Sequence, residues 1–251
     1  MSAVVSEKKL KVVGTRPDRP EGVPKVTGTA QYGADWTLPG MLWGKLLRSP
    51  HAHARIKKID ASKALKLPGV KAVITGADFP EQKMEYVGPE RVALNFWHIT
   101  RNIMAREKVL FEGHPLAAVA ATTPAVAAEA LKLIEVDYEV LPHVIDVDEA
   151  MKEDAPLLFE DMMPRGYDPV PAKASNISKK LGFKLGDVDG GFAAAEEIVE
   201  ASFKTAPVHQ GYIEPHACLV RTDADGQAEI WSSSQGHFAV RILTAKIVGM
   251  K

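Results

Sequence analysis

The residues able to do chemistry here are eight histidines, one cysteine and a scatter of carboxylates. Cys218 stands alone, so cysteines of this chain cannot build a zinc or iron–sulfur site, and no disulfide can form within it. His51 and His53 are one residue apart and would project from the same side of an extended segment. A metal would need third and fourth ligands, and none is near in sequence, so these two read as structural, as does His114. His209 and His216 could ligate a metal by residue type. Glu214, between Ile213 and Cys218 in an apolar stretch, reads as a carboxylate paired inside its domain rather than as an acid or base. Gly190-Gly191 follows Asp187-Val188-Asp189 but lacks the glycine spacing and preceding strand of a phosphate loop, and so marks the start of a helix. The acid pairs Glu160-Asp161 and Glu196-Glu197 are sequence neighbours that do not face each other, and read as solvated.

These residues must be carried by a mixed α and β scaffold. The chain has 251 residues, 46% hydrophobic and 25% charged, with a formal net charge of -1. That suffices for one large or two medium domains and gives no electrostatic reason for a nucleic acid or an anionic membrane as partner. The first residues, Met1–Lys11, are polar apart from Val4-Val5 and lack the apolar core of a signal peptide. No run approaches the ~18 apolar residues of a membrane span. A cytoplasmic protein is therefore expected.

Residues 1–22, closing on the prolines Pro17 and Pro20, read as an arm. Strands are expected at Met41–Leu47, Ala54–Ile59 and Val70–Thr75, with a short helix capped by Asp60 before the last of them. The clearest unit is strand Leu116–Ala121, helix Pro124–Ile134 and strand Glu135–Val140, which demands a sheet with a helix packed on it. Asp154 to Gly186, rich in proline and glycine, reads as a long surface connection. A helix over Phe192–Glu197 follows, then a strand-rich stretch from Ile198 to Trp231. Inside that stretch Thr222–Gln227 turns a hairpin. A last helix runs from Gly236 to Val248.

Several of these segments, taken in order, resemble one family. Lys25–Asp35, Pro39–Leu42, Arg48–Ile56, Pro68–Val70, Phe111–Val119 and Tyr138–Pro142 are similar to the opening of the large, molybdopterin-binding subunits of xanthine dehydrogenase and aldehyde oxidase-type molybdenum hydroxylases. Gly186–Asp189, His209–His216 and Trp231–Gln235 continue the likeness. The resemblance implies an α+β chain in which an α/β hammerhead domain, residues 23–148, is followed by a linker over 149–185. The beginning of a molybdopterin-binding domain then occupies 186–251, and the chain by itself is too short to be a complete enzyme.

The family inserts water-derived oxygen at an electron-poor carbon using molybdenum–molybdopterin, and passes electrons to iron–sulfur clusters and FAD on partner subunits or domains. The expected partners are the remainder of the molybdopterin-binding subunit, an iron–sulfur subunit, an FAD subunit and a small-molecule substrate. Purine, aldehyde, N-heterocycle, carbon monoxide and aromatic thioester all stay open as substrates. The family's base glutamate and the glycine-rich turn that holds its cofactor lie in later sequence, so no catalytic residue is assigned here.

In the family, the segment matching Val208–His216 passes beneath the metal and contributes a glutamine near its oxo group. Alignment on Tyr212-Ile213-Glu214 sets that glutamine opposite Val208, and Gln210 is the nearest amide. Gln210 and Gln235 are the candidate cofactor-binding residues, with a plain loop role for Gln210 and a helix-capping role for Gln235 as the alternatives. The family's molybdenum has no histidine ligands, so His209 and His216 are expected to be hydrogen-bonded loop or core histidines. A non-catalytic assembly or docking subunit is the competing function. An open apolar surface around Gln210, Gln235 and the last helix would favour the enzyme part, and a sealed polar one the docking module.

Overall fold

The computed structural model of the chain describes residues 10–81, 84–87 and 92–250, so the expectation for the first nine residues lies outside it. By their contacts the residues form two compact units, one running up to Pro39 and including His209–Gln235, the other comprising Gly40–Val208 and the residues from Gly236 on. Each unit thus takes residues from distant parts of the chain. None of the described helices is long and apolar enough to cross a membrane.

The elements follow in chain order as α1 (Gly22–Thr27), β1 (Trp43–Arg48), β2 (Ala54–Asp60), α2 (Ser62–Leu65) and β3 (Val70–Thr75). After a 3-10 turn at Gly76–Asp78 come β4 (Met84–Val87), β5 (Val92–Asn95), α3 (Phe96–Ile103) and β6 (Lys108–Val109). Then come β7 (Pro115–Ala121), α4 (Pro124–Lys132), β8 (Glu135–Val140), α5 (Val147–Ala150) and α6 (Val188–Ala194). The hairpin β9 (Cys218–Thr222) and β10 (Ala228–Ser232) precedes α7 (His237–Val248).

Two antiparallel three-stranded sheets, ordered β1-β7-β3 and β6-β2-β8, form the core of the larger unit. The small-apolar run of β7 makes it a central strand. Its Ala117, Val119 and Ala121 pack with Ala127 and Ala130 of α4, while Leu116 packs with Ala54, Ala105 and Val109. Thr123 caps α4, its hydroxyl accepting from the Val126 N–H at 3.1 Å, and Pro124 sits in the first turn where its missing N–H is harmless. The strand–helix–strand unit therefore forms as its pattern demanded, but its two strands enter different sheets. In β8 the apolar alternates Val136 and Tyr138 lie opposite Ile59 and Ile56 of β2, and these cross-strand pairs hold it there.

His114 is fully buried where these layers meet. Its Nδ1 accepts the Leu110 N–H at 3.2 Å, and its ring stacks on Phe111 with centroids 4.3 Å apart. An imidazole that accepts at Nδ1 is neutral, with its proton on Nε2. Burial pushes its pKa below the ordinary 6.5, backbone groups of Asn102 and Arg101 opposing in part, and burial lowers that of His98 too. Because the unfolded chain binds these protons more tightly, the stability they contribute is complete above 6.5 and is lost as pH falls below it. Urea midpoints are expected to drop between about pH 7 and about pH 5, with His114→Phe flattening part of that slope and leaving the share of His98.

The connection after β8 is better anchored than its composition suggests. Lys108, almost fully buried, donates to the Leu157 carbonyl at 3.1 Å and to Glu160 Oε1 at 2.8 Å. Asp161 accepts from Trp97 Nε1 at 3.1 Å and from Arg101, whose guanidinium lies over the Trp97 and Phe159 rings. Glu160 and Asp161 are exposed, as expected of solvated charges, and each also anchors the connection through its ion pair. Asn176 completes the attachment, donating to the Ala150 and Pro156 carbonyls and accepting from the Leu158 N–H.

Beyond Pro164 the described chain has no buried residue. Helix α6 starts at Val188 rather than Phe192, because Asp187 caps it through the Gly190 N–H at 3.0 Å. A Cβ at Gly190 would meet the capping Asp187 Cγ at 2.8 Å, which explains the glycine. The strand-rich stretch expected from Ile198 reduces to β9 and β10. The backbone of residues 198–217 makes no hydrogen bond to another described backbone group. Its β-branched and aromatic residues suit a strand, but no neighbouring strand supplies the ladder.

Candidate functional site

The hairpin, the turn over residues 31–36 and the loop 209–217 belong to one compact unit, and Glu214 ties all three together. Its Oε1 accepts the Gly33 N–H at 3.0 Å and also the Ser233 hydroxyl. These donors, Ser233 first and Gly33 second, hold the carboxyl below its ordinary value, so it is ionised at neutral pH. Residues 181 positions apart in the chain meet here. The expectation of a carboxylate paired within its domain finds it bonded to neutral donors, with no cation against it among the described residues.

The approach of the three segments is close enough to require glycine. A Cβ on Gly33 would lie 2.9 Å from the Ala217 carbonyl oxygen and 3.3 Å from Ser233 Oγ. Tyr32 N–H donates to Asp35 Oδ2 at 2.9 Å, which closes the turn carrying Gly33. Beside it the Trp36 and Trp231 rings stand 6.1 Å apart between centroids, tilted by 31°. The hairpin forms as expected, with Gly226 at φ +84° in the tight turn and the Asp223 N–H donating to the Gln227 carbonyl at 2.9 Å. Gly33, Trp36 and Ser233 had no chemical signal of their own in the sequence. The one available hint was Gly33 inside Tyr32-Gly33-Ala34-Asp35, a turn signature.

Gln210 and Gln235 fall within this same unit, both exposed, and among the described residues neither side chain makes a hydrogen bond. Gln235 does not cap the last helix, whose N-cap is Gly236 without a side-chain bond. In the Gln210 loop, His209 Nδ1 accepts the Gly211 N–H at 3.0 Å, with Gly211 at φ +69°. Tyr212 and His216 bond through the phenol oxygen and Nε2, and the His209 and Tyr212 rings lie 4.8 Å apart. The loop histidines are therefore engaged locally. Among the described residues no three His, Cys, Asp or Glu side chains converge as a metal site. The hammerhead histidines take separate partners: His51 lies edge-on to Tyr138 at 4.8 Å, and His53 Nδ1 meets the Pro142 carbonyl at 2.6 Å.

Large apolar side chains of each unit stand in solvent. Ile213 is 98% exposed, Val208 88%, Phe203 92% and, in the first turn of α7, Phe238 67%. Ile242 and Val248 continue the bare face of α7. Exposed apolar side chains of this kind favour a part awaiting cover over a sealed module.

Comparison with known proteins places these features. Residues 27–142 match the aldehyde oxidase and xanthine dehydrogenase a/b hammerhead domain, and residues 170–251 the molybdopterin cofactor-binding domain. The chain is 37% identical over 246 residues to the carbon monoxide dehydrogenase large chain of Afipia carboxidovorans, covering 96% of this chain and 30% of that protein. It is 33% identical to the probable hypoxanthine oxidase XdhD of Escherichia coli K12, covering 96% of this chain and 27% of the relative. Among solved structures, the Cu,Mo-CO dehydrogenase in its carbon monoxide reduced state superposes with a TM-score of 0.74 at 35% identity, over 95% of this chain and 30% of the other. Quinoline 2-oxidoreductase of Pseudomonas putida 86 gives 0.72 at 29% identity, over 94% of this chain and 29% of the other.

Proposed function

Because the chain belongs to the aldehyde oxidase and xanthine dehydrogenase family of molybdenum hydroxylases, we propose that it forms part of the molybdopterin-binding subunit of such an enzyme. It spans under a third of the length of the relatives named above. In this reading residues 23–148 are the hammerhead domain, 149–185 the linker, and 186–251 a cofactor-binding part completed by further polypeptide. An iron–sulfur subunit and an FAD subunit join it in a cytoplasmic multisubunit complex. The isolated chain is then inactive.

The observation that carries this reading is the exposure of large apolar side chains in each unit, Phe203 and Phe238 in one and Ile213 in the unit that holds Gln210 and Gln235. A docking module would present a closed body. Exposed apolar area on this scale is stable only when more protein covers it.

When bound, the molybdenum–pterin centre supplies oxygen transfer from water to an electron-poor carbon and takes up the electrons. Gln210 and Gln235 would hold it. A neutral amide can donate a hydrogen bond to an oxygen ligand without bringing a charge. Among the described residues both are free of competing bonds, and Glu214 fixes the segment bearing Gln210 against Ser233 at the end of β10, which leads to Gln235. No base is assigned among the residues of this chain.

Elemental analysis tests the proposal. The chain purified alone is expected to carry no molybdenum, and the chain co-purified with the remainder of the subunit to carry about one atom per complex. Stoichiometric molybdenum on the lone chain would overturn it.

A further inference from the structure

Next to Glu214 lies a crevice of about 400 Å³, lined by Gln31, Trp36, Glu214, Trp231 and Ser233 among others. Its chemistry is unbalanced. Glu214 Oε1 takes both hydrogen bonds from Gly33 and Ser233, leaving Oε2 without a donor among the described residues. Among the described residues no lysine, arginine or histidine pairs with the carboxylate. An ionised carboxylate flanked by two indoles, with no counter-ion, is complementary to a cation that can both donate to oxygen and lie on an aromatic ring.

We propose that this crevice receives an arginine side chain from the polypeptide that covers the unit. A guanidinium suits it better than an ammonium. It is flat and weakly hydrated, it rests on indole faces, and its N–H fork can reach Oε2 while the rest of the group lies along a ring. The source is a covering polypeptide because Ile213, beside Glu214 in the chain, is 98% exposed and the loop leading to it lacks backbone partners. Whatever buries Ile213 passes the mouth of the crevice. This inference rests on the reading that further polypeptide completes the unit. The arginine then acts as a latch, joining the covering segment to the residue that already pins the Gln210 loop, so that cover and loop become ordered together.

The test uses the full chain labelled with 5-fluorotryptophan, which gives one fluorine resonance each for Trp36, Trp43, Trp97 and Trp231. N-acetylarginine amide is titrated in, with N-acetylcitrulline amide as the neutral isostere. The Trp36 and Trp231 resonances are expected to shift saturably with the arginine compound, while Trp43 and Trp97 stay in place and citrulline binds at least ~10-fold more weakly. Glu214→Gln should weaken arginine binding at least ~10-fold. Because that change also alters the Gly33 and Ser233 bonds, Trp36→Leu serves as a second variant that leaves them intact, and it should weaken binding ~3-fold or more, read on Trp231. Equal binding of citrulline, no saturable shift, or equal shifts at all four tryptophans would overturn the proposal. The titration needs no cofactor and no second polypeptide, so its outcome is independent of the molybdenum analysis.

Discussion

Replacing Leu116 with alanine is expected to destabilise the chain by about 2–5 kcal/mol, whereas Ile213→Ser should change its stability by less than about 0.5 kcal/mol. The two residues are of similar size and greasiness, so the difference comes wholly from surroundings. Leu116 is fully buried on β7 in a cluster with Ala54, Ala105 and Val109, against which Leu47, Ile56 and Tyr138 pack. The substitution loses the transfer free energy of the removed carbons and leaves a cavity besides. Ile213, at 98% exposure, has nothing to lose in the isolated chain. Urea unfolding of each variant measures the contrast. Ile213→Ser should declare itself only in association, by weakening capture of the polypeptide that covers it. A large cost of Ile213→Ser in the chain alone would mean that the face is already closed.

How much of this was legible in the sequence depended on how local the governing interaction is. The β7–α4–β8 segment was readable because a continuous small-apolar run, a proline in a first helical turn and a clean two-residue alternation each carry their structure in a few adjacent residues. The β9–β10 hairpin was readable from the Asp225-Gly226 turn for the same reason. The separation of β7 and β8 into different sheets was not, since it is decided by Ile56 and Ile59 on a strand far upstream. Helix α3 is amphipathic but only two turns long, too short for its period to stand out along the chain. It is held by Asn95 at its start and by Phe96 and Thr100 on its buried side, with polar and aromatic residues between. Residues 198–217 were misread as strand-rich because side-chain type records a preference for a pleated surface, while a strand exists only where a neighbour pairs with it.

For the candidate site, the amides Gln210 and Gln235 were reached through likeness to a family and not through any pattern of their own. Among the described residues neither side chain has a hydrogen-bond partner that would mark it out in the sequence. Glu214 could be seen to need a partner, but not which partner. Its hydrogen bond to Gly33 spans 181 residues, and no short window of sequence contains both. The same distance explains why Trp36 and Trp231 escaped notice as a pair.

The second large effect concerns backbone exchange. With no described backbone partner over residues 198–217, these amides should exchange at close to the unprotected rate in the isolated chain. Amides of β2, β7 and β8 sit in paired ladders around the buried clusters and should exchange only through opening of the whole unit, at about 5–15 kcal/mol. Between those extremes the hairpin β9–β10 has paired strands but no buried residue, and should show intermediate protection.

Hydrogen–deuterium exchange of the chain, alone and in complex with the remainder of the molybdopterin-binding subunit, is therefore the most direct measurement. Residues 198–217 are expected to be unprotected alone and to gain protection in the complex, with β7 and α4 unchanged. Strong protection of 198–217 in the isolated chain, or none gained in the complex, would contradict the view that this surface is completed by further polypeptide.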